Sequence, residues 1–426
     1  MYEADVAVYN KMQSVCIVGA GAAGLCAARL LSAAHGFNIV VFEQSATVGG
    51  TWRYTDDPAV DPHSSMYCNL RTNLPKEIMG FPDYPFPESG ESFVHHTKVL
   101  KYLEHYAIHY ELLKYIKFKT RVKHVTPKHP QDNRTAWIVT VEDLRTCTEE
   151  TSIFDAVFIC NGHYSEPYIP YIPGLEKFSG EVFHSHVYRK PDGISGPVLV
   201  LGASSSGIDI SLELAAAMEQ KIYLSSRKEE RYTCELPPNV IQVPGVSYAT
   251  EDGFVMADAF VCKVKTLILC TGYCYSYPFL SEDCKIDQPD HCRVNPLYKH
   301  LIHMDFHTLY FLGIPLIIVP FPIFYYQVKF CMKVLDGTLR LPTRAEMERE
   351  TSEDLQLRLS LGMPERYQHK MGNLQWNYVD NLSQLANVPP LPQYYKQIYE
   401  KVSEHRKTNI LGYREANYST ETCDRI

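Results

Sequence analysis

SVCIVGAGAAGLCAARLLSAA, residues 14–34, followed by FNIVVFE, residues 37–43, decides the fold. The order is a short apolar strand, a glycine turn, a helix rich in Ala and Leu, and a second apolar strand that ends on an acid. Gly19, Gly21 and Gly24 form GxGxxG. The first glycine permits the tight turn, the second lets backbone approach a pyrophosphate, and the third lets helix and strand touch. The backbone of Gly19, Ala20, Gly21, Ala22, Ala23 and Gly24, with the helix dipole behind it, is expected to hold that anion. Glu43 stands about 20 residues past Gly24, where a carboxylate accepts from ribose hydroxyls. This half predicts a dinucleotide with a free ribose 2′-OH.

The pattern recurs in GPVLVLGASSSGIDISLELAAAMEQKIYLSSRKEE, residues 196–230. Gly202, Ser204 and Gly207 take the three glycine positions, and the hydroxyls of Ser204, Ser205 and Ser206 are available to donate to phosphate. At the end of its second strand stand Ser226, Arg227 and Lys228 where the first half has Glu43. An acid repels a 2′-phosphate and cations bind it, so this half predicts NADP rather than NAD. Each half closes alike, with DAVFICNGHY (155–164) and VKTLILCTGYCY (264–275) running into glycine at Gly162 and Gly272, the latter preceded by Thr271. The first half is longer because 49–117 is inserted before its closing strand. One site for a 2′-OH and one for a 2′-phosphate point to FAD with NADPH, because hydride leaving nicotinamide needs an acceptor that retains it. The expected fold is α/β with two Rossmann-like domains. An FAD-binding domain comprises 1–164 and 281–426, and a smaller NADP-binding domain is inserted at 165–280.

Composition narrows the function further. The chain has 426 residues, 45% hydrophobic and 21% charged, which is ordinary globular usage. A net charge of −8 without a basic run excludes a nucleic-acid partner on bulk charge. The 13 cysteines form no CxxC, so they read as buried apolar thiols in a reducing, cytoplasmic compartment and supply no redox pair for a disulfide reductase. No metal is assigned: Cys270 and Cys274 lack a second pair, and His105 and His109 lack a third ligand. The N-terminal stretch MYEADVAVYNKMQ carries acids where a signal peptide needs base. The uncharged run from Leu309 to Tyr326 is broken by Pro315, Pro320 and Pro322, so no spanning segment is expected. Most of the 30 tyrosines are assigned to core packing.

Beyond its glycines the chain resembles the flavin-containing monooxygenases over nearly its whole length. FSGEVFHSHVY places Phe178, Gly180, His184 and Tyr188 in the family's FxGxxxHxxx(Y/F) arrangement; related Baeyer–Villiger enzymes usually have Trp where Tyr188 stands. VGGTWRY, with Gly49, Gly50, Thr51 and Trp52, resembles the flavin-contacting turn, and NLRTNLPKEIMGFPDYPFP resembles the Asn-containing loop, with Thr72 and Asn73 at the matching positions. LILCTGY resembles the family's closure, and FLGIPLIIVPFPIFYYQVKF its returning flavin-domain segment. Ser204 for glycine and the absence of the vertebrate members' hydrophobic tail are the departures.

The resemblance implies that NADPH reduces FAD, that oxygen adds at flavin C4a to give a hydroperoxide, and that NADP⁺ stays bound to shield it. A soft nucleophile, an amine nitrogen or a sulfur of a small molecule, then takes the distal oxygen, as in N,N-dimethylaniline-type monooxygenases acting on foreign compounds. Asn73 is the expected hydrogen-bond donor beside that chemistry. A Baeyer–Villiger or N-hydroxylating relative and a non-oxygenating, redox-sensing or peroxide-producing flavoprotein are the alternatives. Homo-oligomer formation and peripheral contact with the endoplasmic reticulum are compatible with the resemblance.

Overall fold

The computed structural model describes residues 12–88, 90–129, 133–227 and 232–420, so Lys228 lies outside the described residues. The first half runs β1 (Gln13–Val18), α1 (Ala22–Ala33), β2 (Phe37–Glu43), α2 (His96–His109), β3 (Ile116–Phe118), β4 (Thr120–Pro127), β5 (Trp137–Asp143), β6 (Thr148–Phe154) and β7 (Ala156–Ile159). A short strand β8 (Glu166–Pro167) leads to the second half: β9 (Glu181–His184), β10 (Val198–Leu201), α3 (Ser205–Ala217), β11 (Ile222–Ser225) and β12 (Val240–Val243). It continues through β13 (Val246–Thr250), β14 (Gly253–Met256), β15 (Val261–Lys263) and β16 (Thr266–Leu269). The chain returns through β17 (Tyr273–Cys274), β18 (Leu297–Tyr298), β19 (Ile302–His303) and β20 (Leu309–Phe311) to four helices. These are α4 (Pro320–Leu335), α5 (Arg344–Ser360), α6 (Leu374–Ala386) and α7 (Tyr394–Thr408).

Strands β7 and β16 are buried along their whole length, because each parallel sheet is covered by helices on one face and by antiparallel strands, β4–β6 or β13–β15, on the other. The seven-stranded sheet has the order β18-β19-β20-β7-β1-β2-β3, and the five-stranded sheet β9-β16-β10-β11-β12. Around β1 the pairing is parallel on both sides, Val15 facing Ile39 and Ala156. Around β10 it is again parallel, Val198 facing Ile222 and Thr266. The duplication therefore extends past the glycine turns: β3 and β12 are equivalent outer strands, and each is followed by an antiparallel three-stranded meander, β4–β6 and β13–β15. The segment separating β2 from β7 accordingly runs on through β4–β6, beyond the 49–117 insertion read from sequence.

The apolar run 309–326 divides between β20 and the start of α4, where Pro320 occupies the first turn and lacks only an N–H the helix does not use. Phe321, Ile323 and Tyr326 are buried, Phe321 stacking on Phe81 with ring centroids 5.0 Å apart, so these side chains pack the core. Alanine-rich α1 lies against α4. His105 and His109 share the exposed side of α2, where His109 packs on Tyr84 and Tyr110. Where the chain leaves for the five-stranded sheet and where it comes back, β8 and β17 pair antiparallel, Pro167 facing Tyr273. No helix of the described residues is long and apolar enough to cross a membrane.

Candidate functional site

The carboxyl ends of β1 and β10 open into glycine turns with the same internal geometry. Gly19 has φ +102° and Gly202 φ +113°, both left-handed values that favour glycine. A Cβ on Gly24 would meet Gly19 O, and one on Gly207 would meet Gly202 O, each inside any tolerable contact. Behind both turns stands a cysteine, Cys160 in the first half and Cys270 in the second, whose Cβ lies 3.5 Å from the built position in each case. Burial raises both thiols, that of Cys270 to about 12, so they are space-filling groups rather than nucleophiles.

Helix α1 is capped by Gly21 and helix α3 by Ser204, and neither has a side-chain cap. The N–H groups of both first turns therefore lack a side-chain partner, and the helix dipoles add positive potential there. The Gly49–Gly50 turn closes over the first cradle. Gly49 N donates to Ala20 O at 3.1 Å, and a Cβ on Gly21 would lie 3.6 Å from Gly50 Cα. Thr51 bonds Ser65 at 3.4 Å, and Trp52 meets Phe321 edge to face. Glu43, buried, accepts from Ala20 N and Ser45 N, each at 2.7 Å, which ties its carboxylate to the entrance of the turn. In the second half Ser226 takes its place, its N–H donating to Val243 O, and Arg227 is exposed beside Gly245. These backbone cradles fit two dinucleotide pyrophosphates.

The remaining sequence-predicted residues divide. Asn73 is exposed and its Nδ2 donates to Ser205 Oγ at 3.3 Å, which brings the loop of the first body onto the first residue of α3. Thr72 is buried, and its hydroxyl accepts from Val94 N at 3.1 Å, holding its own loop. The Thr271 hydroxyl donates to Tyr168 O at 2.5 Å, and Gly272 O accepts from Tyr168 N, so this pair fastens the domain crossing. The FxGxxxHxxx(Y/F) stretch is a joint. Gly180 sits against Lys265 O, and Tyr188 OH donates to Glu213 on α3 at 2.8 Å. His184 accepts from His186 N at 3.0 Å, and desolvation holds it at about 4, which keeps the ring neutral.

Sequence reasoning missed Arg406 and Arg414, both from the C-terminal part of the chain. Arg406 reaches Ser205 Oγ at 3.4 Å, and Arg414 pairs with Asp209 on α3 at 2.6 Å. No motif spacing connects them to a turn some 200 residues earlier.

The flavin-binding monooxygenase-like family model matches residues 12–232 and 232–395. This chain belongs to the flavin-containing monooxygenase family. It is 35% identical over 410 residues to the flavin-containing monooxygenase FMO GS-OX5 of Arabidopsis thaliana, covering 90% of this chain and 87% of that protein. The S-allyl-L-cysteine S-oxygenase structure from Allium sativum superposes with a TM-score of 0.89 at 33% identity, covering 98% of both chains. Tmm from Pelagibacter sp. strain HTCC7211 gives 0.84 at 26% identity, covering 96% of this chain and 94% of its own. Cyclohexanone monooxygenase, at 16% identity and 0.61, shares the fold. As a family member the chain is an FAD-dependent monooxygenase, and FAD and NADPH are its cofactors.

Proposed function

We propose that this monooxygenase transfers one oxygen atom to a soft nucleophilic sulfur or nitrogen of a small molecule, with a thioether as the preferred class. The observation that carries the reading is the Asn73 amide standing on Ser205, the first residue of the second cradle's helix. The likeness to an S-oxygenase over 98% of both chains favours sulfur. Tyr188, where Baeyer–Villiger relatives usually have Trp, argues against a ketone substrate.

When bound, FAD supplies the electron store through which NADPH reduces dioxygen. The backbone of residues 19–24, flanked by Gly50, Thr51 and Trp52, holds its pyrophosphate, and Glu43 accepts from its ribose. The turn of Gly202, Ser204, Ser205, Ser206 and Gly207 holds NADPH, with Arg227 on the 2′-phosphate. Asn73, which donates to Ser205 at the start of the second cradle, would offer a neutral amide there, a donor that orients without releasing a proton. No nucleophile or base of the protein is required, because the substrate lone pair is the nucleophile. The smaller domain spans 165–280 in this reading. The described cysteines, all free, suit a reducing cytoplasmic setting.

The test supplies holoprotein, NADPH and isotopically heavy dioxygen to S-allyl-L-cysteine, N,N-dimethylaniline and cyclohexanone in turn. One labelled oxygen in the sulfoxide or N-oxide is the expected result. Label in a lactone, or NADPH consumed only to peroxide with every substrate, refutes the reading.

A further inference from the structure

Helix α3 presents Ser205, Asp209 and Glu213 at four-residue spacing, one above another on a single face. Each is bonded to groups beyond the five-stranded sheet. Ser205 Oγ accepts from Asn73 and Arg406. Asp209 accepts from Tyr67 OH at 3.1 Å and from both terminal nitrogens of Arg414, at 3.1 and 2.6 Å. Glu213 accepts from Asn69 at 2.6 Å and from Tyr188. The loop 67–73 is thus laid along the helix that opens the second cradle.

Arg414 is the hinge pin of this arrangement. While its two terminal nitrogens hold Asp209, its Nε donates to Thr72 O at 3.0 Å, the carbonyl immediately before Asn73. Its own turn is held from the far side, because Arg71 donates to Arg414 O and to Glu415. The Arg414 and Asp209 side chains are only 16% and 13% exposed, so water replaces these bonds poorly. Only a planar fork reaches a carboxylate and a carbonyl at once; an ammonium keeps the charge and loses the geometry.

We propose that Arg414 is a positioning residue that sets Asn73 against the NADPH cradle and thereby decides where the electrons end. In productive turnover NADPH, a proton, dioxygen and substrate give NADP⁺, water and the oxygenated substrate. Without substrate oxygenation, NADPH, a proton and dioxygen give NADP⁺ and hydrogen peroxide. The ion pair has a second effect. Asp209 lies one turn from the phosphate-binding end of α3, and Arg414 cancels a charge that otherwise opposes the anion there. This inference rests on the reading of Asn73 and the second cradle given above.

The test compares FAD-loaded wild type with Arg414→Lys, Arg414→Gln, Asp209→Asn and the double variant Arg414→Gln/Asp209→Asn. It reads NADP⁺ dissociation by equilibrium titration, the anaerobic flavin reduction rate at saturating NADPH, and peroxide formed per NADPH. Arg414→Gln should weaken NADP⁺ about tenfold, and adding Asp209→Asn should restore affinity, because the uncompensated charge is gone. Arg414→Lys and the double variant should keep the reduction rate and still release several-fold more peroxide. If Arg414→Gln does not fold, the isosteric Asp209→Asn tests the same pair through its peroxide yield. Wild-type NADP⁺ affinity in Arg414→Gln, or a wild-type peroxide yield in Arg414→Lys and the double variant, overturns the proposal, as does a peroxide rise matched by an equal loss of reduction rate. NADP⁺ affinity is measured without substrate, so it reports on Arg414 even if no thioether or amine is oxygenated.

Discussion

Substituting Ala for the third glycine of either turn should separate the two cofactors. In Gly207→Ala the added carbon would lie 1.7 Å from Gly202 O, whereas ordinary contact begins at 3.4 Å. Helix α3 must therefore retreat by roughly 1.7 Å, enough to carry its first-turn N–H groups out of hydrogen-bond range of a phosphate held near 2.9 Å. Two such charge-assisted bonds are worth about 3–6 kcal/mol, so the NADPH dissociation constant should rise ~100-fold or more. The protein should still purify yellow, because the first cradle is untouched. Gly24→Ala creates the same collision with Gly19 O, at 1.9 Å, and should cost the flavin instead. The assay is FAD content by absorbance alongside the concentration dependence of anaerobic bleaching by NADPH. A Gly207→Ala protein that binds NADPH like wild type would show that the helix start does not hold this coenzyme.

Three further outcomes follow from the same geometry. Asn73→Ala should retain FAD yet divert NADPH consumption to hydrogen peroxide, read by a peroxide assay beside product mass; unchanged product yield removes Asn73 from the site. Arg227→Glu should lower NADPH affinity about 10- to 100-fold while sparing NADH, the loss expected for one charge-assisted bond replaced by repulsion; equal effects on both coenzymes refute the assignment. Burial holds His163, His184 and His303 at about 4, against 6.5 for an unfolded histidine. The unfolded chain therefore binds protons that the folded chain does not, so stability is full above pH 6.5 and falls as pH drops toward 4, by ~1–3 kcal/mol per histidine. Thermal midpoints at pH 7.5, 6 and 5 should decline in that order; a midpoint unchanged from pH 7.5 to 5 contradicts it.

The glycine turns and their strands were legible because local chemistry dictates them. Gly19, Gly24, Gly202 and Gly207 sit where any side chain collides with backbone, and that constraint leaves a short-range spacing in the sequence. The meanders β4–β6 and β13–β15 escaped notice because alternating strands next to a closing strand merge with it when read one residue at a time. The seam between the two bodies was illegible for a different reason. Arg414 meets Asp209, and Asn73 meets Ser205, across separations that no periodicity encodes. The polar stretch after Gly412 carries no motif, yet Tyr413 is buried and Arg414 pins the loop that carries Asn73. Thr72 and Thr271 illustrate the converse: they stand at motif positions, but their hydroxyls hold Val94 N and Tyr168 O.

The central claim is that one cradle holds a flavin with a free ribose hydroxyl and the other a nicotinamide nucleotide bearing a 2′-phosphate. Anaerobic bleaching of the purified protein at matched concentrations of NADPH and NADH tests it most directly. Fast, saturable loss of the flavin absorbance with NADPH and slow loss with NADH is the predicted result; a colourless protein that cannot be reconstituted with FAD, or equal bleaching by both coenzymes, contradicts it.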